Sequence, residues 1–123
     1  MRTSPGASRL GGRAHAEAAA TVAEREAVGA EVREFDQVLG VELQRRVLDV
    51  VTTRAAIQAS SEAVAAATEA RRVVGERFTA GVATTTDILD AEVSQLEAEL
   101  ERNRLQASLR VGEAQLVRAV GRP

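Results

Sequence analysis

The chain has no cysteine, no tryptophan and no tyrosine, and its aromatic content is 2%, supplied by Phe35 and Phe78 alone. Without cysteine there is no disulfide, thiolate metal site, cysteine nucleophile or lipidated cysteine within these residues. Without aromatics a thick globular core is disfavoured, because those side chains carry the largest buried areas. Proline occurs at Pro5 and Pro123 only, so no residue between them removes the backbone donor a helix needs. No run approaches the roughly 20 apolar residues of a membrane-crossing helix, and no series of alternating segments reads as membrane barrel strands. Neither sign of charge dominates: 16 basic and 18 acidic residues are mixed along the chain for a net charge of -2. That balance excludes the electrostatic footprint of a nucleic-acid binder. The opening Met1-Arg2-Thr3-Ser4-Pro5-Gly6 has no apolar h-region behind it, so no export signal is read in it.

What is present is helical material. Hydrophobic residues make up 45% of the chain, most of them Ala and Val, which remove little area from water per buried position. Residues 1–12, ending in Gly11-Gly12, are expected to be flexible or the remnant of a strand. From Arg13, apolar residues recur at helical intervals as Val28, Val32, Phe35, Leu39, Leu43, Val47, Val50, Ile57 and Val64. This spacing predicts one helix over 13–79, far beyond the usual length of roughly 8–20 residues and on the scale of a coiled coil. Gly29, Gly40 and Gly75 weaken it by about 1 kcal/mol each relative to Ala.

The helix is expected to reverse at residues 80–84. Gly81 can adopt the left-handed conformation that closes a helix, and Thr84 with Asp87 fits a capping box opening the next. The second helix is expected over 85–120, with a stripe of Leu89, Val93, Leu96 and Leu100 that slips in phase and resumes as Leu105, Leu109, Leu116 and Val120. Residues 121–123 close the chain with Gly121-Arg122-Pro123. The fold class is therefore all-α: a long antiparallel coiled-coil hairpin with arms of about 66 and about 36 residues. The unmatched part of the long arm implies partners beyond the hairpin, since an isolated stripe is marginal in water.

The stretch Phe78-Thr79-Ala80-Gly81-Val82-Ala83-Thr84-Thr85-Thr86-Asp87-Ile88-Leu89-Asp90-Ala91 resembles the periplasmic tip of the TolC-like outer-membrane efflux proteins, in the second of that family's two repeats. Leu10-Gly11-Gly12-Arg13 resembles the exit from the family's last barrel strand, and Val117-Arg118-Ala119-Val120-Gly121 the close of its final long helix. The resemblance implies a homotrimer whose repeats form a helical barrel across the periplasm, topped by a β-barrel in the cell outer membrane. The first repeat, the strands and the signal are missing here, so a fragment is expected. A periplasmic adaptor (membrane fusion) protein and an inner-membrane transporter are the implied partners.

By that resemblance Asp87 and Asp90, three residues apart on one face, belong to a pore constriction of six carboxylates in the trimer. The plainer reading makes Asp87 an N3 cap with Thr84 and Asp90 a first-turn acid favoured by the helix dipole. Gly81, Val82 and Thr84 would be the tip that docks the adaptor; the plainer reading is a helix reversal. Where the family tip can carry a tyrosine and an arginine that hold the entrance closed, this chain has Phe78 and Ala83, and Phe78 reads as an apolar staple under the turn. His15 is the only histidine and reads as solvated; Glu97 with Arg102 and Glu113 with Arg118 read as solvated pairs. No nucleophile set, phosphate loop or metal spacing occurs, so no enzyme, cofactor or metal is expected. The competing readings are a generic coiled-coil scaffold hairpin, and the pump adaptor itself, whose Arg-Leu tip pattern is absent.

Overall fold

A computed structural model describes the backbone of residues 6–121 and the side-chain surroundings of residues 11–121. Two helices account for most of the described residues: α1, Gly6–Thr79, of 74 residues, and α2, Thr85–Ala119, of 35 residues. No strand occurs among the described residues. Helix α1 begins at Gly6 rather than at the expected Arg13, and Gly11 and Gly12 lie inside it. A glycine pair costs helix free energy without removing a hydrogen bond, so a run of Ala, Glu and Arg behind it can carry the helix through. Residues 1–5 of the expected 1–12 segment, and Arg122 and Pro123 of the expected end, lie outside the described residues.

The chain divides between Glu42 and Leu43. In the first unit residues 11–42 are exposed, apart from the partly covered Gly29. Val28, Val32 and Phe35 keep 58%, 53% and 63% of their surface in solvent, so the stripe drawn by their spacing is uncovered there. This unit's helix rests on backbone propensity, Ala, Glu and Arg filling most of it, while Thr21 settles its hydroxyl on the Glu17 carbonyl at 2.9 Å.

The second unit is a helical hairpin. From Leu43 onward α1 withdraws from solvent at Arg46, Val50, Thr53, Ile57, Ser60, Val64 and Ala67, alternating three and four residues. Helix α2 does the same without interruption at Ile88, Ala91, Gln95, Ala98, Arg102, Leu105, Leu109, Gly112 and Leu116. Intervals averaging 3.5 are those of a left-handed coiled coil. Val50 at 6% exposure and Ser60 at 8% are the most buried side chains of this seam. Ser60 settles its hydroxyl on the Ile57 carbonyl at 2.8 Å. Gly112 faces Val50: a Cβ there would lie 3.5 Å from Val50 Cγ2, an ordinary contact distance.

The register of α2 differs from the expected one. Leu89, Val93, Leu96 and Leu100 expose 55%, 54%, 66% and 49% of their surface and lie outside the seam. The phase slip expected after Leu100 is likewise absent, because Leu105, Leu109 and Leu116 continue a line that starts at Ile88, not at Leu89. The physical reason is that α2 carries two helical stripes, and the one holding Ala91, Ala98 and Gly112 lets the backbones approach closely against the small residues of α1. On α1, Leu43, Val50, Ile57 and Val64 join the seam as expected, while Val47 stays 45% exposed.

Three polar links fix the antiparallel register: Arg46 Nη1 to Gln115 Oε1 at 3.2 Å, Arg54 Nη2 to Glu113 Oε1 at 2.7 Å, and Arg71 Nη2 to Glu92 Oε1 at 2.9 Å. Residue numbers rise on one strand of the hairpin as they fall on the other. Glu113 therefore pairs across the hairpin with Arg54, not along its own helix with Arg118 as expected. All three links are exposed, so each contributes at most about 1 kcal/mol and acts mainly on register.

The seam assignment is checked by two truncations measured by urea unfolding of the dilute chain. Val50→Ala is expected to cost about 2 kcal/mol, from lost burial plus an incompletely closed cavity, whereas Leu96→Ala, already open to solvent, stays within about 0.5 kcal/mol. Equal losses at the two positions would contradict the observed register.

Candidate functional site at the hairpin turn

The turn between the helices is built from backbone hydrogen bonds. Helix α1 closes with Gly81 N–H donating to the Phe78 carbonyl and Val82 N–H to the Arg77 carbonyl, both at 2.9 Å. This pair of bonds is a Schellman close, and it requires a left-handed residue, supplied by Gly81 at φ +78°. A side chain at Gly81 would meet nothing within 4 Å, so glycine is required there by backbone conformation and not by space.

Helix α2 opens with a complete capping box. Asp87 N–H donates to Thr84 Oγ1 at 3.1 Å, and Thr84 N–H donates to Asp87 Oδ2 at 2.7 Å. Thr84 is extended at φ -93°, ψ 165°, as an N-cap must be. The Thr84 backbone amide, donating to the carboxylate, is the larger cause holding Asp87 below its ordinary range, and the Thr84 side chain beside it is the second. Gly81, Val82 and Thr84 are all exposed, with Val82 at 75% the most open large apolar residue described. Phe78 remains 44% exposed, so its staple role is partial: it leans on the turn without being covered by it.

Asp87 and Asp90 come together in one shallow groove with Val74, Arg77, Val82 and Ala83. Both aspartates are exposed. The groove brings in Arg77, which sequence reasoning passed over. Its signal was available: a basic residue in the last turn of α1 sits where the helix dipole favours it, and the reversal carries that turn beside the first turn of α2. The groove is therefore lined by Val74, Val82 and Ala83 together with one cation and two carboxylates. Such a set can hold cations or polar groups at the surface, and it contains no nucleophile paired with a base.

Along α1, Arg72 bridges Glu69 at 2.7 Å and also Glu76. These bonds raise the Arg72 pKa further and hold Glu69 below its ordinary range, the hydrogen bond from the guanidinium being the first cause in each direction. His15 is exposed on α1, distant in sequence from these groups. No group of three or more His, Cys, Asp or Glu able to hold a metal ion occurs among the described residues, and no described helix is long and apolar enough to cross a membrane.

No protein-family model, curated protein or solved structure matches the chain.

The capping box carries a pH dependence of fixed sign. Asp87 has a folded-state pKa below its usual 3.8, so its contribution is present at neutral pH and is lost as pH falls below that value through the folded pKa. The protection factors of the Thr84 and Asp87 amides, measured by NMR relative to intrinsic exchange at each pH, are expected to fall over that acid range, with the first turn of α2 fraying before the seam. Thr84→Ala is expected to remove about 1 kcal/mol at pH 7 while Asp87 still titrates below 3.8, because the backbone amide that donates to its carboxylate remains. A variant as stable as the parent, or an Asp87 that titrates fully at 3.8, would contradict the box.

Proposed function

We propose that the chain is the periplasmic helical hairpin of a TolC-like outer-membrane efflux or secretion channel, lining part of the conduit and meeting a periplasmic adaptor at its tip. The observation that carries this reading is the turn. The stretch Phe78–Ala91, on which the resemblance rests, combines a glycine-closed helix end, an exposed apolar Val82 and two exposed aspartates in the first turns of α2. A generic scaffold hairpin accounts for the reversal and for Asp87 as a cap, but not for the whole pattern of Phe78–Ala91 with Val82 held open at its apex.

The seam supports the reading as well. Helix α2 has one stripe against α1 and a second, Leu89 to Leu100, facing outward. A helix in the wall of a helical barrel has two neighbours and needs two such stripes. In this proposal a first repeat and a β-barrel complete a homotrimer in the outer membrane, an adaptor and an inner-membrane transporter complete the pump, and the exported substrate is chosen elsewhere.

In the trimer, Asp87 and Asp90 would contribute to a ring of carboxylates at the constriction, concentrating cations and binding multivalent ones. Asp87 would serve as cap and ring member together, since its bond to Thr84 uses one carboxylate oxygen. Arg77, lining the same groove, takes the place of the family's tip arginine as the nearest cation; Phe78 and Ala83 cannot supply the polar links of a closed entrance.

Two measurements test the proposal in an assembled channel containing this hairpin. Asp87→Asn with Asp90→Asn is expected to weaken block of single-channel current by a trivalent cation at least about tenfold, the scale of losing a charge-assisted site; unchanged block removes the ring. Gly81→Trp is expected to abolish co-purification of the adaptor while Gly81→Ala, which has the same backbone strain of about 1 kcal/mol but little bulk, retains it. Docking that survives the tryptophan removes the tip contact.

A further inference from the structure

Helix α2 carries its second apolar stripe nearly opposite the seam. Leu89, Val93, Leu96 and Leu100 recur at intervals of four, three and four, a span of about 17 Å along the helix. They keep 55%, 54%, 66% and 49% of their surface in solvent. The stripe stops at Leu100, since Asn103 and Arg110 take up the same side of the helix beyond it.

Both borders of this stripe are acidic. By helical rotation Asp90 and Glu97 line one edge, and Glu92 and Glu99 line the other. No basic residue occurs between Thr85 and Glu101 to offset them. Arg71 reaches Glu92 from α1 at 2.9 Å, while Glu99 accepts a hydrogen bond from the neutral Gln95 amide at 2.9 Å. Asp90 and Glu97 are exposed and take no hydrogen bond or ion pair from any described residue.

An apolar strip between two acidic edges is complementary to a helix whose own strip runs between two basic ones. A second copy of the same face does not fit, because it sets acid against acid along both edges in either orientation. The stripe of Val28, Val32, Phe35 and Leu39 on α1 does not supply the complement either: Glu24 and Glu31 border it on one side, and Arg25 with Asp36 on the other.

We infer that the outward face of α2 binds an amphipathic helix of another sequence, one with Lys or Arg at the positions bordering its apolar stripe on both sides. In the channel reading that helix is the next one in the wall, and the inference gives its chemistry. The argument uses the surface of α2 alone, so a failure here leaves the tests of the carboxylate ring and of tip docking standing, and their failure leaves this one.

Binding of two synthetic helical peptides to the full chain, followed by fluorescence anisotropy, tests it. The peptides share a leucine stripe at heptad spacing; one has lysine at every bordering position and the other glutamate. The lysine peptide is expected to bind at least about tenfold more tightly at roughly 0.05 M salt, and the difference is expected to shrink toward 0.5 M, where screening is several-fold shorter in range (both about, by ionic strength). Asp90→Lys with Glu97→Lys is expected to abolish or reverse the preference, whereas the same change of net charge at Glu24→Lys with Glu26→Lys, away from this face, retains it. Leu96→Asn with Leu100→Asn, a change without charge at two exposed positions, is expected to abolish binding at unchanged helical circular dichroism. Failure of both peptides to bind, equal binding of the two, a preference indifferent to Asp90 and Glu97 or lost with Glu24 and Glu26, or binding that survives the Leu96 and Leu100 changes would each overturn the inference. So would self-association of the chain that those two changes remove.

Discussion

The hairpin depends on a seam between α1 and α2 that is thin by construction. Ala67, Ala91, Ala98, Gly112 and Ser60 occupy positions where most coiled coils place large aliphatic residues, and Val50 is the one hydrophobic side chain below a tenth exposure among those described. Small residues bring the helix axes together but bury little area, so the stabilisation per turn is modest. The rest of the architecture follows. Exact closure of both helix ends at the turn matters more than in a thick fold, and polar links such as Arg54 to Glu113 are left to choose the register.

The outer surface is ordered too. The α2 seam mixes small residues with Ile88, Leu105, Leu109 and Leu116, and Leu89, Val93, Leu96 and Leu100 form a second ordered stripe outside it. Upstream of Leu43 the large residues Val28, Val32 and Phe35 are likewise uncovered. A chain so organised has its helices encoded locally and leaves much of its apolar surface uncovered.

The sequence made the helical class, the position of the reversal and its caps legible, because those rest on local chemistry. Gly81 has no Cβ to oppose positive φ, Thr84 and Asp87 bond reciprocally over three residues, and no proline interrupts either helix. The register of α2 was not legible by counting leucines. Leu89, Val93, Leu96 and Leu100 give the stronger apolar signal, yet Ile88, Ala91, Gln95 and Ala98 face α1, since the choice between two stripes is made by the partner helix and by close approach. The start of α1 was missed because Gly11-Gly12 reads as a break when only local cost is counted. Arg77 was missed for a related reason: its place beside Asp87 and Asp90 exists only after the chain has folded back. The reading of the site as a channel tip rests on resemblance and on the turn's chemistry together.

The account stands on a single reversal at the residues between Thr79 and Thr85, with the later part of α1 and α2 side by side. Spin labels at Ala55→Cys and Ala114→Cys, both exposed and in a chain without native cysteine, measure it most directly when the labelled protein is diluted into an excess of unlabelled chain. With helix axes about 8–10 Å apart the expected distance is about 10–25 Å, allowing for label length. A helix running unbroken through Gly81 would separate the labels by about 90 Å, and a distance of that order would contradict the hairpin.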